Sequence, residues 1–551
     1  MLGYSGASGL TFRVFCNKIK TMEVLTPQGL WKDYNRKALP LDVSVVSSLE
    51  KDDVKIERLY FSGERTADGV TRIYARLWLP KEQNPPVVIL MNELNSCVDE
   101  CDCLPLAKLG YAVLVLDYAG EREDKERYTI YPKALDFANY FKHPETVDNF
   151  PENPKQSCRY VWMTVLLRAI TFVEEDDRLS DTMAVMGVGE GGSQVFKIAA
   201  LEDLKCGVTM FSTHEHEPRA EDLAFRTCLD NSGYAKMCRF PILNAVCSND
   251  HDGYFDRISA TCRTVDKYYL TTGQRVSKAL LSRQKNCIKR WLNRYLQMGL
   301  PLDIKPPEIS AKESDRQLYY TVKADTRENI VKVDLFIAYS MKVGAFRNWR
   351  QFPTLTAAAG EYIAKIPVYD ASRPVYAFAS VTYVDGNTFS TPLHTCTPAL
   401  LGIKEQNIVK SRLLYDSDSG TDDFVSPQGG DEAVVMLGGA YGIEGVCSLS
   451  GELATYKFSD IQFKAEPDSI LQLIVYSDVE QELEFTVRTE EDDGDVEYVC
   501  VKKLEKDNNW TKFTLSADEF KSCEGALDSF KDAIYFSVRG DKLLVNTMLW
   551  V

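Results

Sequence analysis

The 551 residues predict an α/β domain with a mostly parallel sheet, followed by two all-β domains. Three observations carry this. From about Val54 to Leu300, short unbroken apolar runs alternate with helical segments, the pattern of βαβ units. Pro301 and the pair Pro306-Pro307 then interrupt it, as prolines do at linkers. Beyond them only strand-like runs follow, separated by Gly and Asp turns.

Element by element, Val87-Val88-Ile89-Leu90-Met91 and Ala112-Val113-Leu114-Val115-Leu116 read as parallel strands covered on both faces. Met183 to Met186, Gly207 to Phe211, Ile242 to Val246 and Tyr268 to Leu270 continue the series. Arg159 to Val173 predicts a helix apolar nearly all round. A closing helix is expected to show Val276, Leu280, Ile288, Trp291, Leu292, Tyr295 and Leu296 on one face. In the next ninety residues, Leu318 to Val322, Val333 to Ile337 and Tyr376 to Tyr383 predict a small sandwich of immunoglobulin or fibronectin-III type. Leu471 to Tyr476, Leu483 to Val487 and Ala533 to Val538 predict a jelly roll. The acidic run Glu490 to Asp495 reads as a solvated hairpin tip, since it lacks the ligand spacing of an EF-hand. The expected partition is an N-terminal extension over 1–53 packing on the α/β domain of 54–300, a sandwich over 301–401 and a jelly roll over 402–551.

Composition bounds the function. With 80 acidic and 64 basic side chains the formal charge is −16, and no basic stripe offsets it, which argues against nucleic acid. No apolar run approaches the roughly 20 residues that span a bilayer. Fifteen scattered cysteines fit reduced thiols and a cytoplasmic location. Residues 1–21 lack a basic region ahead of an apolar stretch, as a signal peptide would have, and Met22 is the expected natural start.

Gly187-Val188-Gly189-Glu190-Gly191-Gly192 stands between a strand and a helix beginning at Ser193, the arrangement of a nucleophile elbow. With it, Gly110 to Gly120 and Ser248-Asn249-Asp250-His251 resemble the α/β-hydrolase superfamily. The likeness is closer to the acetyl xylan esterase and dienelactone hydrolase-like branch and covers about 54–300. The resemblance implies an acyl-sugar or polysaccharide-ester substrate and a Ser-Asp-His triad. It assigns Asp250 to the acid, and Asn92, Glu93, Ser96, Cys97 and Glu190 to the cleft and oxyanion loop. The elbow centre, however, is Gly189, and Thr271 to Ser277, where the histidine belongs, contains none. An acyl-enzyme needs both nucleophile and base, so the serine-esterase route is not expected.

Other side chains could carry the missing chemistry. Ser193 lies one turn into the helix and is expected to point away from the cleft. Cys97, Cys101 and Cys103 among acidic residues lack a C-x-x-C rhythm and read as reduced loop cysteines. His214-Glu215-His216-Glu217 and His251-Asp252 follow neighbouring strands, on the edge where open α/β sheets bind ligands. His214 and His216 could hold a divalent metal whose bound water replaces the serine, although no cofactor is the expectation. Arg347-Asn348-Trp349-Arg350 reads as packing. Trp510, Trp550 and Tyr441 are candidates to stack on sugar rings, with core packing the competing role.

Three functions therefore stand. The first is a degenerate hydrolase that binds a carbohydrate or acylated sugar without esterase activity. The second is an active carbohydrate esterase with a non-standard site at Asp250, His251, His214 and His216. The third is a structural or assembly protein. The oligomeric state is left open.

Overall fold

The computed structural model describes residues 26–149, 151–212, 225–300, 302–405, 409–427, 429–491, 494–506, 508–523 and 525–551. Two compact units divide the chain, 1–204 with 214–240, and 205–213 with 241–551.

In the first unit, strands β1 (Ser44–Lys51), β2 (Val54–Thr66) and β3 (Gly69–Leu79) form an antiparallel lead-in to β5 (Ala112–Leu116). Parallel pairing then runs from β5 to β4 (Val87–Met91) and on to β6 (Met183–Val188). In this register Val88 lies between Val113 and Ala184. All residues of β4 and β5 are buried, which explains why their sequences show no alternation. Among the described residues this unit has five α-helices: α1 (Pro27–Trp31), α2 (Leu104–Ala107), α3 (Cys158–Glu175), α4 (Glu190–Leu201) and α5 (Asn231–Ala235). The apolar-all-round reading of α3 is met, since every residue from Cys158 to Val173 is buried. Within its stripe Arg159 and Arg168 are also buried. Arg168 donates to the carbonyls of Ser62, Pro40 and Arg36, so its charge is solvated by backbone. Trp31 fixes the N-terminal segment, stacking on Tyr160 at 4.5 Å and donating from Nε1 to the Tyr234 hydroxyl at 2.9 Å.

In the second unit β7 (Cys206–Met210), β8 (Ile242–Cys247) and β9 (Tyr268–Gly273) are parallel. The first ends one residue before the expected Phe211, whose φ of 51° turns the backbone out of the strand. Helix α6 (Tyr254–Cys262) follows β8 and α7 (Ser282–Leu292) follows β9. The closing helix starts later than periodicity predicts. Arg275 has a left-handed φ of 54°, so Val276 belongs to an irregular segment, packed with Cys247 and Leu281. Leu281 then stands at the helix N-cap, and its N–H is met by Gln284 Oε1 at 3.0 Å.

The strands beyond Pro307 do not all pair with one another. β10 (Glu308–Ser314), β11 (Gln317–Lys323), β14 (Leu355–Ala358) and β15 (Glu361–Ile366) form a sheet in the order β10-β11-β15-β14. β12 (Ile330–Tyr339), β13 (Arg350–Phe352), β16 (Val375–Tyr383), β17 (Thr388–Ser390) and β18 (His394–Cys396) form another. That second group joins the edge of β9 through the pair Ser390 and Leu270. From Leu413 onward, two six-stranded antiparallel sheets share one core, in which Phe485, Phe536, Leu473 and Val545 are fully buried. The described ends of the acidic run pair across two antiparallel strands, Glu490 opposite Asp495 and Glu491 opposite Gly494.

Fourteen free cysteines are found among the described residues, and of these only Cys523 is exposed.

Candidate functional site

Glycines bring strand and helix together at the elbow. A Cβ on Gly187 would lie 2.4 Å from the Gly191 carbonyl oxygen, and one on Gly191 would lie 2.2 Å from that of Met91. Between them Gly189 has φ 54° and ψ −121°, a conformation that side-chain-bearing residues rarely adopt. Helix α4 starts immediately, with Ser193 N–H donating to the Gly189 carbonyl at 3.2 Å. The strand–sharp turn–helix geometry of a nucleophile elbow is thus present around a residue with no side chain.

The space that such a side chain would enter is filled. A Cβ built on Gly189 would meet Glu93 Oε2 at 1.8 Å and Oε1 at 2.4 Å. Glu93 comes from the loop after β4, and its Oε1 accepts long hydrogen bonds from Leu94 N at 3.4 Å and Glu190 N at 3.5 Å. An amide just after the elbow centre and one from the loop after this strand are the two donors that stabilise an oxyanion in α/β-hydrolases. Here a resident carboxylate oxygen faces both.

Behind the elbow, charge is balanced within the protein. Glu190 Oε1 accepts from Arg159 Nε at 3.3 Å and Gln194 Nε2 at 3.1 Å. Arg159 also donates to the Val147 carbonyl, so the buried guanidinium is hydrogen-bonded at both ends. Tyr118 donates to the Asn92 carbonyl; burial, then the carboxylates of Glu190 and Glu93, hold its hydroxyl well above the usual range. Ser193 is occupied as well. Its Oγ accepts from Lys197 Nζ at 3.1 Å and from Asn231 Nδ2 at 2.8 Å, while Lys197 donates to Asn231 Oδ1 at 2.7 Å. Burial lowers the Lys197 ammonium to about 8.

The other sequence candidates fall as follows. Ser96 N–H donates to the Glu93 carbonyl at 3.0 Å, closing the turn that carries Glu93. Cys97 is buried at the start of a short 3₁₀ turn, and its carbonyl accepts from Glu100 N–H at 3.1 Å. Burial pushes the thiols of Cys101 and Cys103 up to about 11 and about 12, which keeps them neutral rather than metal-binding thiolates at pH 7. Among the described residues no three or more His, Cys, Asp or Glu side chains gather as a metal site. His214 and His216 lie outside the described residues.

In the second unit Asp250 accepts from Tyr254 N at 2.6 Å and Phe255 N at 3.1 Å, satisfying the first amides of α6. Burial raises its carboxyl to about 6. No imidazole hydrogen-bonds to it among the described residues. His251 packs edge-on against Phe346 at 5.8 Å, and burial lowers its pKa. The Arg347–Arg350 motif is packing, as read: Arg347 pairs with both carboxylate oxygens of Asp256 and stacks on Tyr376 at 3.9 Å. Trp550 is a core residue between Phe458 and Phe530, and Trp510 donates to the Ala440 carbonyl. Tyr441 alone of the three aromatic candidates is largely exposed, at 82%.

No protein-family model and no curated protein matches the chain. Solved structures are similar to it. Acetyl xylan esterase 1 from Thermoanaerobacterium sp. is 16% identical, with 49% of this chain and 95% of that chain covered at a TM-score of 0.37. An acetyl xylan esterase from Paenibacillus sp. R4 is 19% identical, covering 53% and 97% at 0.35. Est1E from Butyrivibrio proteoclasticus is 13% identical, covering 43% and 98% at 0.31. Each of these matches covers about half of the chain. The sequence names Glu93 and Gly189 separately but does not foresee their apposition. The available signal was a carboxylate in the oxyanion loop facing an elbow without a side chain.

Proposed function

We propose that the chain is a degenerate α/β-hydrolase-like protein of the carbohydrate-esterase type, which performs no acyl transfer at its elbow and binds a carbohydrate-derived ligand. The supporting observation is Glu93, whose carboxylate stands where a nucleophile's side chain would project and turns an oxygen toward both candidate oxyanion amides. An acyl carbonyl finds no hydroxyl there, and its developing oxyanion would meet a negative charge. The sugar-ester class comes from the sequence resemblance and matches the names borne by the similar esterases. In this reading residues 1–53 extend an α/β-hydrolase domain of 54–300, ahead of an immunoglobulin-like sandwich over 301–401 and a jelly roll over 402–551. The free thiols favour a cytoplasmic setting.

A second reading draws on Asp250, whose buried carboxyl at about 6 would be poised near neutrality in an esterase that also used His251, His214 and His216. Purified protein separates the two. The first expects p-nitrophenyl acetate and acetylated xylo-oligosaccharides to be hydrolysed at the background rate, with binding of the oligosaccharide in calorimetry. Turnover abolished by His251→Ala, or by a chelator and restored with zinc, selects the second. Neither turnover nor sugar binding would leave the assembly role.

A further inference from the structure

A separate cavity of about 300 Å³ opens in the first unit, between the turn after α1, the end of β2 and the first half of α3. Four charged side chains line it, Asp33, Glu64, Arg65 and Lys155, together with Tyr34 and Tyr160. None of the four makes an ion pair or a side-chain hydrogen bond among the described residues. Elsewhere in the unit Arg36 is held by Glu174 and Glu202, and Arg58 by Asp99.

Glu64 is the informative member. Asp33, Arg65 and Lys155 are exposed at the mouth, where water solvates a lone charge, but Glu64 is only partly exposed. Burial raises its carboxyl, and its charge is felt by the hydroxyls of Tyr34 and Tyr160 beside it. Arg168 and then Lys155 act on it through space, but neither hydrogen-bonds to it, and Arg168 spends its donors on three backbone carbonyls. A half-buried carboxylate with no hydrogen-bonded partner among the described residues costs free energy that an incoming cation would recover. Two phenol rings beside the carboxylate suit an ammonium group, through the negative faces of their π systems. Leu135 and Val161 add an apolar wall for a short carbon chain. At the mouth, Lys155 and Arg65 present positive charge to whatever the far end of that ligand carries.

We propose that this cavity binds a small zwitterion, a free amino acid or a compound of that kind, with its ammonium toward Glu64 and its carboxylate toward Lys155 and Arg65. The arrangement assigns opposite charges to opposite ends of the ligand, which neither a neutral sugar nor a simple anion satisfies. It stands independently of the elbow and of the reading given to it.

The test is calorimetry of the full chain with the twenty free amino acids, with n-butylamine, butyrate and xylose as singly charged and uncharged controls. At least one amino acid is expected to bind saturably. Glu64→Gln should weaken it tenfold or more, and Lys155→Met about threefold. Butylamine should bind more weakly than the amino acid, respond to Glu64→Gln and not be weakened by Lys155→Met. Both variants alter side chains that make no hydrogen bond or ion pair among the described residues, and unchanged circular dichroism and melting temperature verify the fold. No binding across the panel overturns the proposal, as does binding that survives Glu64→Gln undiminished or a preference for xylose or butyrate. Lys155→Met, at an exposed position, keeps the question decidable if Glu64→Gln fails to fold.

Discussion

Replacing Gly189 by serine restores the missing hydroxyl on paper and should instead destabilise the first unit. Two costs can be worked from the geometry. At φ 54° and ψ −121° a side-chain-bearing residue is strained by about 1–3 kcal/mol. The new Cβ would also stand 1.8 Å from Glu93 Oε2, so the carboxylate must leave its two amides. Those hydrogen bonds are long, at 3.4 and 3.5 Å, and losing both costs roughly 1 kcal/mol. Gly189→Ser should therefore lose about 2–4 kcal/mol, of which only the second part depends on Glu93. In Glu93→Ala that part has already been lost, so adding Gly189→Ser should cost only the strain. A double-mutant cycle, read from the urea transition of the first unit by tryptophan fluorescence, should return a coupling of about 1 kcal/mol between the two positions. Neither Gly189→Ser nor the double variant should hydrolyse p-nitrophenyl acetate above background, because no imidazole is supplied. A Gly189→Ser protein as stable as wild type, or additive with Glu93→Ala, would refute the occupied-elbow argument, and strong esterase activity would show that a base had been overlooked.

Other perturbations read the buried charges directly. The Asp250 carboxyl is raised from 3.8 to about 6, so the folded chain holds this proton more tightly than the unfolded chain does. Its contribution is complete below about pH 4 and fades as pH rises through 6. The stability of wild type minus Asp250→Asn, from urea titrations, should thus fall between these limits by on the order of 3 kcal/mol. For Lys197 the sign is opposite: a pKa lowered from 10.5 to about 8 makes wild type gain stability over Lys197→Met as pH rises from 8 toward 10.5, and a flat difference would contradict its burial. Trp31→Phe, which keeps a ring over Tyr160 but loses the bond to the Tyr234 hydroxyl, should cost about 1–2 kcal/mol in the same urea assay.

How much of this was legible beforehand depended on the kind of signal. Fully buried parallel strands announce themselves by unbroken apolar runs, and β4 and β5 begin and end at the residues where those runs do. The elbow was legible because its glycines are demanded by backbone approach, a constraint written in single residues. Periodicity misplaced the start of α7, since Val276 keeps helical spacing while the left-handed Arg275 before it turns the chain aside. The division of β10–β18 between two sheets was hidden too, because pairing partners leave no mark within a strand of their own. Glu93 was named for its loop, but its apposition to Gly189 joins residues 96 positions apart, and no local pattern encodes that distance.

The distribution of sulfur has a practical consequence. Burial drives the thiols of Cys206, Cys262 and Cys287 upward, leaving almost no thiolate there to react, whereas Cys523 stands at the surface. A brief treatment with maleimide at neutral pH should therefore place a dye or spin probe at Cys523 before the other described cysteines, without any of them being removed first. The protein comes with its own attachment point for spectroscopy, in the second unit just after Ser522.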